Sequence, residues 1–384
     1  MLAIKGGTVY TITNGIVNDG TVVIDGKNIK AVGRDIPIPK GCRVYDAKGK
    51  IVMPGFVDAH THLGNFNEAT GPVGFDGNEW VNPVTPHIRA KDGIWPQDLG
   101  FRDAREGGVS TVCVLPGSAN VIGGTGVVIK TVGDSVDDMV VLDDCGMKAA
   151  FGENPKGVYQ EQKKMPVTRM GNAAVMRETF IKVKNYMEKK QKHEEDKPFE
   201  EDISMEALIP VLERKIPLRV HAHRADDILT AIRIAKEFNI DITIEHCTEG
   251  HLIVKHLKKA GIKAIVGPSF SSRTKVELRE LTFKTPGILD KAGIHVSIMT
   301  DNPVIPLRFL VLMAGIAVSE GMDETSALKA ITIRPAQLLG IDNRVGSIEE
   351  GKDADISIWD RHPFDTRAHL EAFWIGGKQV VKKK

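Results

Sequence analysis

Between residues 53 and 345 the chain alternates short apolar segments with segments of helical periodicity. Short apolar segments are typical of strands buried on both faces, and a helix between two of them is the usual crossover between parallel strands. The alternation therefore predicts a parallel sheet covered by helices. Together with a strand before residue 60, about eight strands are expected, the number in a closed (β/α)8 barrel, although an open doubly wound sheet has the same pattern. The other apolar segments are residues 110–115, 127–132, 147–151, 218–222, 242–245, 264–266 and 295–299.

Both ends of the chain differ from this middle part. Short β-type runs lie between turn dipeptides in residues 1–52, and the same texture returns in residues 355–359 and 372–375. Asn-Gly, Asp-Gly and Gly-Gly pairs of this kind are common in tight hairpin turns. We therefore expect the two ends to pair in one small domain. The predicted architecture is α/β, with a composite β-sandwich of residues 1–52 plus 346–384 and a TIM-like barrel of residues 53–345.

The bulk composition limits the partners of the chain. Lys and Arg number 51 against 50 Asp and Glu, and this balance disfavours nucleic acid or an anionic membrane, because both bind an excess of positive charge. The four cysteines form no CxxC pair, which is more typical of a reducing compartment than of a disulfide framework. The first residues read as a strand rather than as a signal peptide. We expect a cytoplasmic protein with a small-molecule substrate, and a homo-oligomer stays an open alternative to a monomer.

Residues 53–64, with the sequence MPGFVDAHTHLG, place His60 and His62 one residue apart after a short apolar run. Side chains at positions i and i+2 of a strand point to the same face, so both imidazoles can converge on one point. Neutral imidazole is a common ligand of zinc and similar metals. The spacing alone leaves two interpretations open, a pair of metal ligands or two unrelated histidines.

Polar side chains also occur at the ends of other predicted strands. They are His221, His223, His246 and Asp301, while Lys148 lies inside an apolar strand. The carboxyl ends of parallel barrel strands face one cavity, so these side chains can meet there. Each histidine has a structural alternative as a hydrogen-bonded core residue, and Asp301 can cap a helix that begins near residue 304. Lys148 lacks such an alternative, since burial of an unpaired ammonium costs several kcal/mol, and the convergence favours a functional site.

Three stretches of the sequence together resemble the amidohydrolase superfamily. They are MPGFVDAHTHLG with the later His221, His246 and Asp301, TIRPAQLLGI at residues 332–341, and GSIEEGKDADISIWD at residues 346–360. Within that superfamily the chain is most similar to the group that contains imidazolonepropionase and the metal-dependent, prolidase-like dipeptidases. The resemblance covers nearly the whole chain and implies a metal-dependent hydrolase on a (β/α)8 barrel.

The resemblance also implies a set of metal ligands. His60, His62 and Asp301 would bind a first ion, and His221 and His246 a second one. Lys148 matches the position at which binuclear members carry a carboxylated lysine that bridges the two ions, with Glu153 as the main alternative. The implied cofactors are two zinc ions, with manganese, iron and cobalt as alternatives, since sites of histidine and carboxylate accept all of them. Asp301 would also act as the general acid and base.

The reaction that the resemblance implies is hydrolysis of a C–N bond in a small amide, dipeptide or cyclic amide by a metal-activated hydroxide. Imidazolonepropionase and the mononuclear deaminases carry a glutamate shortly after the histidine of their fifth strand, and none follows His223 here. A mononuclear deaminase and an imidazolonepropionase-like ring hydrolase are therefore the alternatives, and a non-catalytic scaffold is a third one.

Substrate contacts are predicted at two places. His223, for which the resemblance offers no ligand role, is interpreted as a substrate-facing residue, a residue behind the ligands or a core residue. Residues 152–171 form a long basic loop at the position of a lid, and long ordered loops are often functional. Their basic and aromatic side chains are expected either to bind a substrate carboxylate or to be ordinary exposed groups. They are Lys156, Tyr159, Lys163, Lys164 and Arg169.

Overall fold

The computed structural model describes residues 1–193 and 198–383. Residues 194–197, in a charged segment that we interpret from the sequence as solvated, lie outside the described residues, as does residue 384. The strands are β1 (Leu2–Tyr10), β2 (Ile16–Asp25), β3 (Asn28–Gly33), β4 (Arg43–Asp46), β5 (Ile51–Pro54), β6 (Phe56–Thr61), β7 (Val109–Val114), β8 (Ile122–Thr125), β9 (Val127–Lys130), β10 (Val140–Leu142), β11 (Met147–Ala150), β12 (Leu218–Ala222), β13 (Ile242–His246), β14 (Lys263–Val266), β15 (His295–Ile298), β16 (Ile356–Trp359), β17 (Leu370–Ile375) and β18 (Lys378–Lys382). The helices are α1 (Leu99–Glu106), α2 (Val136–Met139), α3 (Glu153–Glu161), α4 (Arg169–Gln191), α5 (Ile203–Leu212), α6 (Ala225–Phe238), α7 (Val254–Lys259), α8 (Lys284–Lys291), α9 (Leu310–Ser319), α10 (Glu324–Ala330) and α11 (Ile333–Leu339).

The two ends of the chain share one sheet. Its strand order is β18-β17-β16-β5-β1-β2-β3, with β4 paired to β1, so strands from both termini meet where β16 pairs antiparallel with β5. Ile4, Val52 and Trp374 are fully or almost fully buried in the apolar core of this unit. The hydrogen bonds join these strands in a single sheet. That the unit is a β-sandwich stays a prediction.

The middle of the chain contains the expected parallel strands. Strands β11, β12, β13, β14 and β15 pair in this order and are all parallel, and β6 is parallel to β7. Their residues are buried almost throughout, as expected for strands covered by helices. Strand β15 lies next to β6, so the first and last parallel strands are neighbours. The carboxyl ends of these strands carry the candidate ligands.

The predicted direction of one strand is wrong. The sequence predicts that residues 127–132 run parallel to their neighbours, but β9 pairs antiparallel with β7, and β8 pairs antiparallel with β11. The physical reason is the connection between β7 and β9, because residues 115–126 contain strand β8 and no helix that could form the usual crossover of a parallel pair. Hydrogen bonding therefore divides the middle strands into two sheets, of orders β10-β9-β7-β6 and β15-β14-β13-β12-β11-β8.

The helices cover the outside of these strands. Helix α6 follows β12 and buries Ile228, Ile232 and Phe238 along one face, as its 3.6-residue periodicity predicts. It ends at Asn239, which adopts the left-handed conformation common at helix C-termini. Within residues 1–193 and 198–383, every helix is too short or too polar to cross a membrane.

Candidate metal centre

The first cluster of candidate ligands consists of His60, His62 and Asp301. His60 lies in β6, His62 follows that strand, and Asp301 follows β15, so two neighbouring strand ends supply the three side chains. Both histidine Nε2 atoms are 3.2 Å from Asp301 Oδ1. The two strands are tied together by Asp58, which accepts hydrogen bonds from Thr300 N at 2.9 Å and Thr300 Oγ1 at 2.7 Å. Asp301 has a φ of 55°, an uncommon value outside glycine that is often found at functional sites.

Hydrogen bonds on the opposite ring nitrogens fix how these two histidines face Asp301. His60 Nδ1 donates to Glu245 Oε2 at 2.7 Å, and His62 Nδ1 donates to the carbonyl oxygen of Leu115 at 2.8 Å. Both partners only accept, so a neutral imidazole must carry its proton on Nδ1 and leave the Nε2 lone pair toward Asp301. Three lone-pair atoms then face one another, and Asp301 Oδ1 is buried without a hydrogen-bond partner among the described residues. A divalent cation fits this arrangement.

The second cluster consists of His221, His223 and His246, whose ligand atoms lie within 4.8 Å of one another. His246 Nδ1 donates to the carbonyl oxygen of Gly267 at 2.9 Å, and His223 Nδ1 lies 2.8 Å from Thr248 Oγ1. His221 is buried, and both of its ring nitrogens lack a hydrogen-bond partner among the described residues. Buried polar atoms are rarely left unpaired, so this cluster also fits a metal ion.

Lys148 is buried next to the first cluster. Its side chain lies in β11 with no exposed surface, and Nζ is 3.4 Å from His60 Nε2. Burial lowers the pKa of Lys148 to about 8. The lysine therefore lies against His60 of the first cluster, at the position for which the resemblance implies a bridging group.

A buried charged network lies behind His60. Arg219 Nε donates to Glu245 Oε1 at 2.6 Å, Thr243 Oγ1 donates to the same oxygen at 2.6 Å, and an Arg219 amino group donates to the carbonyl oxygen of Ala59 at 2.7 Å. Arg219 and Glu245 have no exposed side-chain surface. Burial would raise the pKa of Glu245, but Arg219 and His60 outweigh it and hold that pKa below its usual range. Glu245 is thus a carboxylate that orients His60.

The sequence interpretation did not identify the Arg219–Glu245 pair. A signal was present, since both charged residues stand at positions of otherwise apolar strands, as Lys148 does. Charges that are buried in parallel strands need partners, and two such strands can supply them to each other.

A cavity of about 680 Å³ opens above both clusters. Ligand side chains from both clusters form its floor, namely His62, His221, His223, His246 and Asp301. Much of its wall is apolar and includes Phe66, Trp80, Val158, Leu278 and Val304. A concave, largely apolar site with a few convergent polar groups is the usual form of a small-molecule site.

Several predicted substrate residues lie away from this cavity. Tyr159 is buried in α3 and donates its hydroxyl to the carbonyl oxygen of Asn82 at 2.8 Å. Arg169, at the start of α4, donates from Nε to both carboxylate oxygens of Asp227, at 3.0 and 3.1 Å. Neither belongs to the described residues that line the cavity. The partners of the Tyr159 hydroxyl and of Arg169 Nε are distant in sequence, and the local pattern of the loop does not reveal them.

The structure also gives the positions of the two remaining candidates, Glu153 and His223. Glu153 begins α3 and lines the cavity, but one of its oxygens accepts the Glu277 N–H at 3.2 Å, and the described clusters do not include it. His223 lies with His221 and His246 in the second cluster and on the cavity floor, so it is placed as a candidate ligand rather than only as a substrate contact. The His-x-His spacing, already used for the first pair, was the signal for this role.

Comparisons with known proteins find amidohydrolases and imidazolonepropionases among the similar proteins. An amidohydrolase from Thermotoga maritima MSB8 has a solved structure that is 46% identical, with a TM-score of 0.97 and full coverage of both chains. The amidohydrolase tasK of Hapsidospora irregularis is 28% identical over 93% of this chain, which spans only 39% of the length of tasK. An imidazolonepropionase of Pseudomonas fluorescens is 23% identical over 96% of this chain and 94% of its own length.

The family assignment follows from the extent of the match. The amidohydrolase family model matches residues 51–381, which include every ligand candidate described above. The similar structures imply a TIM barrel with mixed α and β content, and the His/Asp clusters together with the family support a divalent metal. The chain belongs to the amidohydrolase family and is a hydrolase that acts on C–N bonds.

Proposed function

We propose that the protein hydrolyses the C–N bond of a small amide, dipeptide or cyclic amide that carries a carboxylate, with two zinc ions and a carboxylated Lys148 in the site. The observation that carries this proposal is the pair of three-residue clusters at the floor of one cavity, with Lys148 buried beside them. A mononuclear site would need only part of this set.

The residues can be assigned roles in that reaction. The first cluster, with His60, His62 and Asp301, would hold one ion, and the second, with His221, His223 and His246, would hold the other. A bound divalent ion supplies a Lewis acid and makes water more acidic. The Asp301 carboxylate lies on the cavity floor, where it can take a proton from water and pass it to the leaving nitrogen. The apolar wall limits the water that reaches this proton transfer.

Carboxylation of Lys148 is supported by its surroundings. Its hydrogen-bonding neighbour among the described residues is an imidazole nitrogen rather than a carboxylate, although the side chain has no exposed surface. A positive ammonium at this place would be repelled by metal ions in the clusters. A carbamate would instead supply two anionic oxygens.

The proposed function is tested by a substrate screen of the zinc-loaded protein. We expect hydrolysis of carboxylate-bearing amides, dipeptides or cyclic amides, and no release of ammonia from aminated purines and pyrimidines. Release of ammonia without any amide hydrolysis would favour the mononuclear deaminase instead. A protein that turns over neither set with full metal content would point to a non-catalytic scaffold.

A further inference from the structure

The cationic group of the cavity wall comes from a segment that the sequence interpretation did not consider. Among the described residues that line the cavity, Lys275 is the one Lys or Arg side chain. It lies between β14 and α8, directly before a short 3-10 helix at Val276–Leu278. Its side chain is 37% exposed and forms part of the cavity lining.

Neighbouring side chains hold the Lys275 ammonium in place. Nζ donates to Asn154 Oδ1 at 2.6 Å and lies 3.4 Å from Glu277 Oε1. Asn154 in turn donates from Nδ2 to Ser118 Oγ at 2.7 Å. These contacts use two of the three ammonium protons and leave the third for a ligand. A lysine that is oriented before binding loses less side-chain entropy when an anion binds.

Three hydroxyl groups belong to the same cavity lining as Lys275. They are those of Ser118, Ser271 and Thr274. The Ser118 oxygen accepts from Asn154, so its own proton is free to point into the cavity. A cavity lined by a lysine and by hydroxyl donors is suited to a carboxylate, which accepts several hydrogen bonds at once.

We propose that Lys275 is the residue that selects substrates with a carboxylate, by binding that group on the cavity wall while the amide lies over the two clusters. This inference rests on the proposed function and names the substrate class of the same site. Lysines and arginines of residues 152–171, which the sequence suggested for this role, are absent from the described lining of the cavity. The apolar wall beside Lys275, formed in part by Leu278 and Trp80, would accommodate an apolar side chain of the same substrate.

The test compares a carboxylate with its neutral isostere. N-acetyl-L-leucine and N-acetyl-L-leucinamide are titrated into the zinc-loaded protein by calorimetry, and hydrolysis of both is followed separately. Wild type is expected to bind the carboxylate about 10- to 100-fold more tightly, the range of a hydrogen bond to a charged group. Lys275→Met should remove this preference and leave carboxamide affinity within about twofold, while Lys275→Arg should restore most of it.

Lys164→Met is the matched control, because it removes the same charge from a lysine whose Nζ donates to the carbonyl oxygen of Val81 at 3.0 Å, outside the cavity lining. It should keep the full preference. The inference is overturned if Lys275→Met still prefers the carboxylate, or if wild type shows no preference or binds neither compound. Lys275-dependent binding without hydrolysis of any amide would refute the proposed function and leave the carboxylate contact intact.

Discussion

The two ligand clusters differ in what lies behind them. Behind His60 is the carboxylate of Glu245, which is paired with Arg219 in a network without exposed side-chain surface. The second cluster has weaker support, since His223 faces the hydroxyl of Thr248 and the ring nitrogens of His221 lack a partner among the described residues. A histidine ligand is a stronger base and is better oriented when its other nitrogen donates to a carboxylate. We therefore expect the first cluster to bind its ion more tightly than the second one.

Removal of one ligand from each cluster should give the largest effects and separate the two sites. His60→Ala should abolish hydrolysis and lower the affinity of the first ion by more than about 100-fold, the upper range for loss of a supporting partner alone. His221→Ala should cost the second ion and leave the first one bound. Metal content after dialysis, measured by mass spectrometry, and turnover of the same samples decide between them. Full metal content and normal activity in His60→Ala would refute the ligand assignment.

Loss of Lys148 should break the connection between the two clusters. Wild type with bicarbonate is expected to bind two ions, and Lys148→Ala one or none, because a bridging carbamate would be missing. Short-chain carboxylic acids should partly restore the second ion and the activity of this variant. Metal content and turnover are measured with and without the added acid.

Glu153→Ala is the matched control for Lys148→Ala. Glu153 lines the cavity next to the same strand end, but its carboxylate is engaged by the backbone of Glu277. This variant should keep both ions. If Lys148→Ala still binds two ions and turns over normally, while Glu153→Ala does not, the bridging group is Glu153 instead.

The first cluster shows how much of the site the sequence contains. His60 and His62 could be predicted as neighbours from the i and i+2 spacing, and Asp301 from its place after the last parallel strand. The spacing rule concerns neighbouring residues of one strand, and the rule about strand ends follows from the topology of a parallel sheet. His223 shares this spacing with His221, and the structure places it in the second cluster, although the family resemblance offered no role for it.

Contacts between distant segments could not be predicted in the same way. The pairs Arg219–Glu245 and Lys275–Asn154 join residues on separate elements, and neither segment alone indicates its partner. The direction of a strand also could not be predicted from its own segment. Residues 127–132 have the apolar pattern of a buried strand in either direction, and their own sequence does not show that β9 pairs antiparallel with β7.

The smallest expected effects come from the groups behind the ligands. Glu245→Gln should weaken the first ion about 10- to 100-fold and leave the second one nearly unchanged. This variant also leaves the buried Arg219 charge without its partner, so its stability should fall by about 3–5 kcal/mol. The double variant Arg219→Met with Glu245→Leu removes the charge as well and should regain most of that stability, yet still bind the first ion weakly. Chelator competition measures the metal affinity, and urea unfolding measures the stability, so the two consequences are determined separately.

Thr248→Val tests the same argument on the second cluster, because it removes the hydroxyl next to His223 Nδ1 and keeps a similar volume. A neutral hydroxyl orients a histidine less strongly than a carboxylate does, so the second ion should weaken only about tenfold, the lower end of the range for such partners. The first ion should not respond, since its ligands contact other groups. If Thr248→Val weakens binding as much as Glu245→Gln does, the two clusters are equally dependent on their supports. Any difference in metal affinity between the two clusters would then need a cause other than the charged network behind His60.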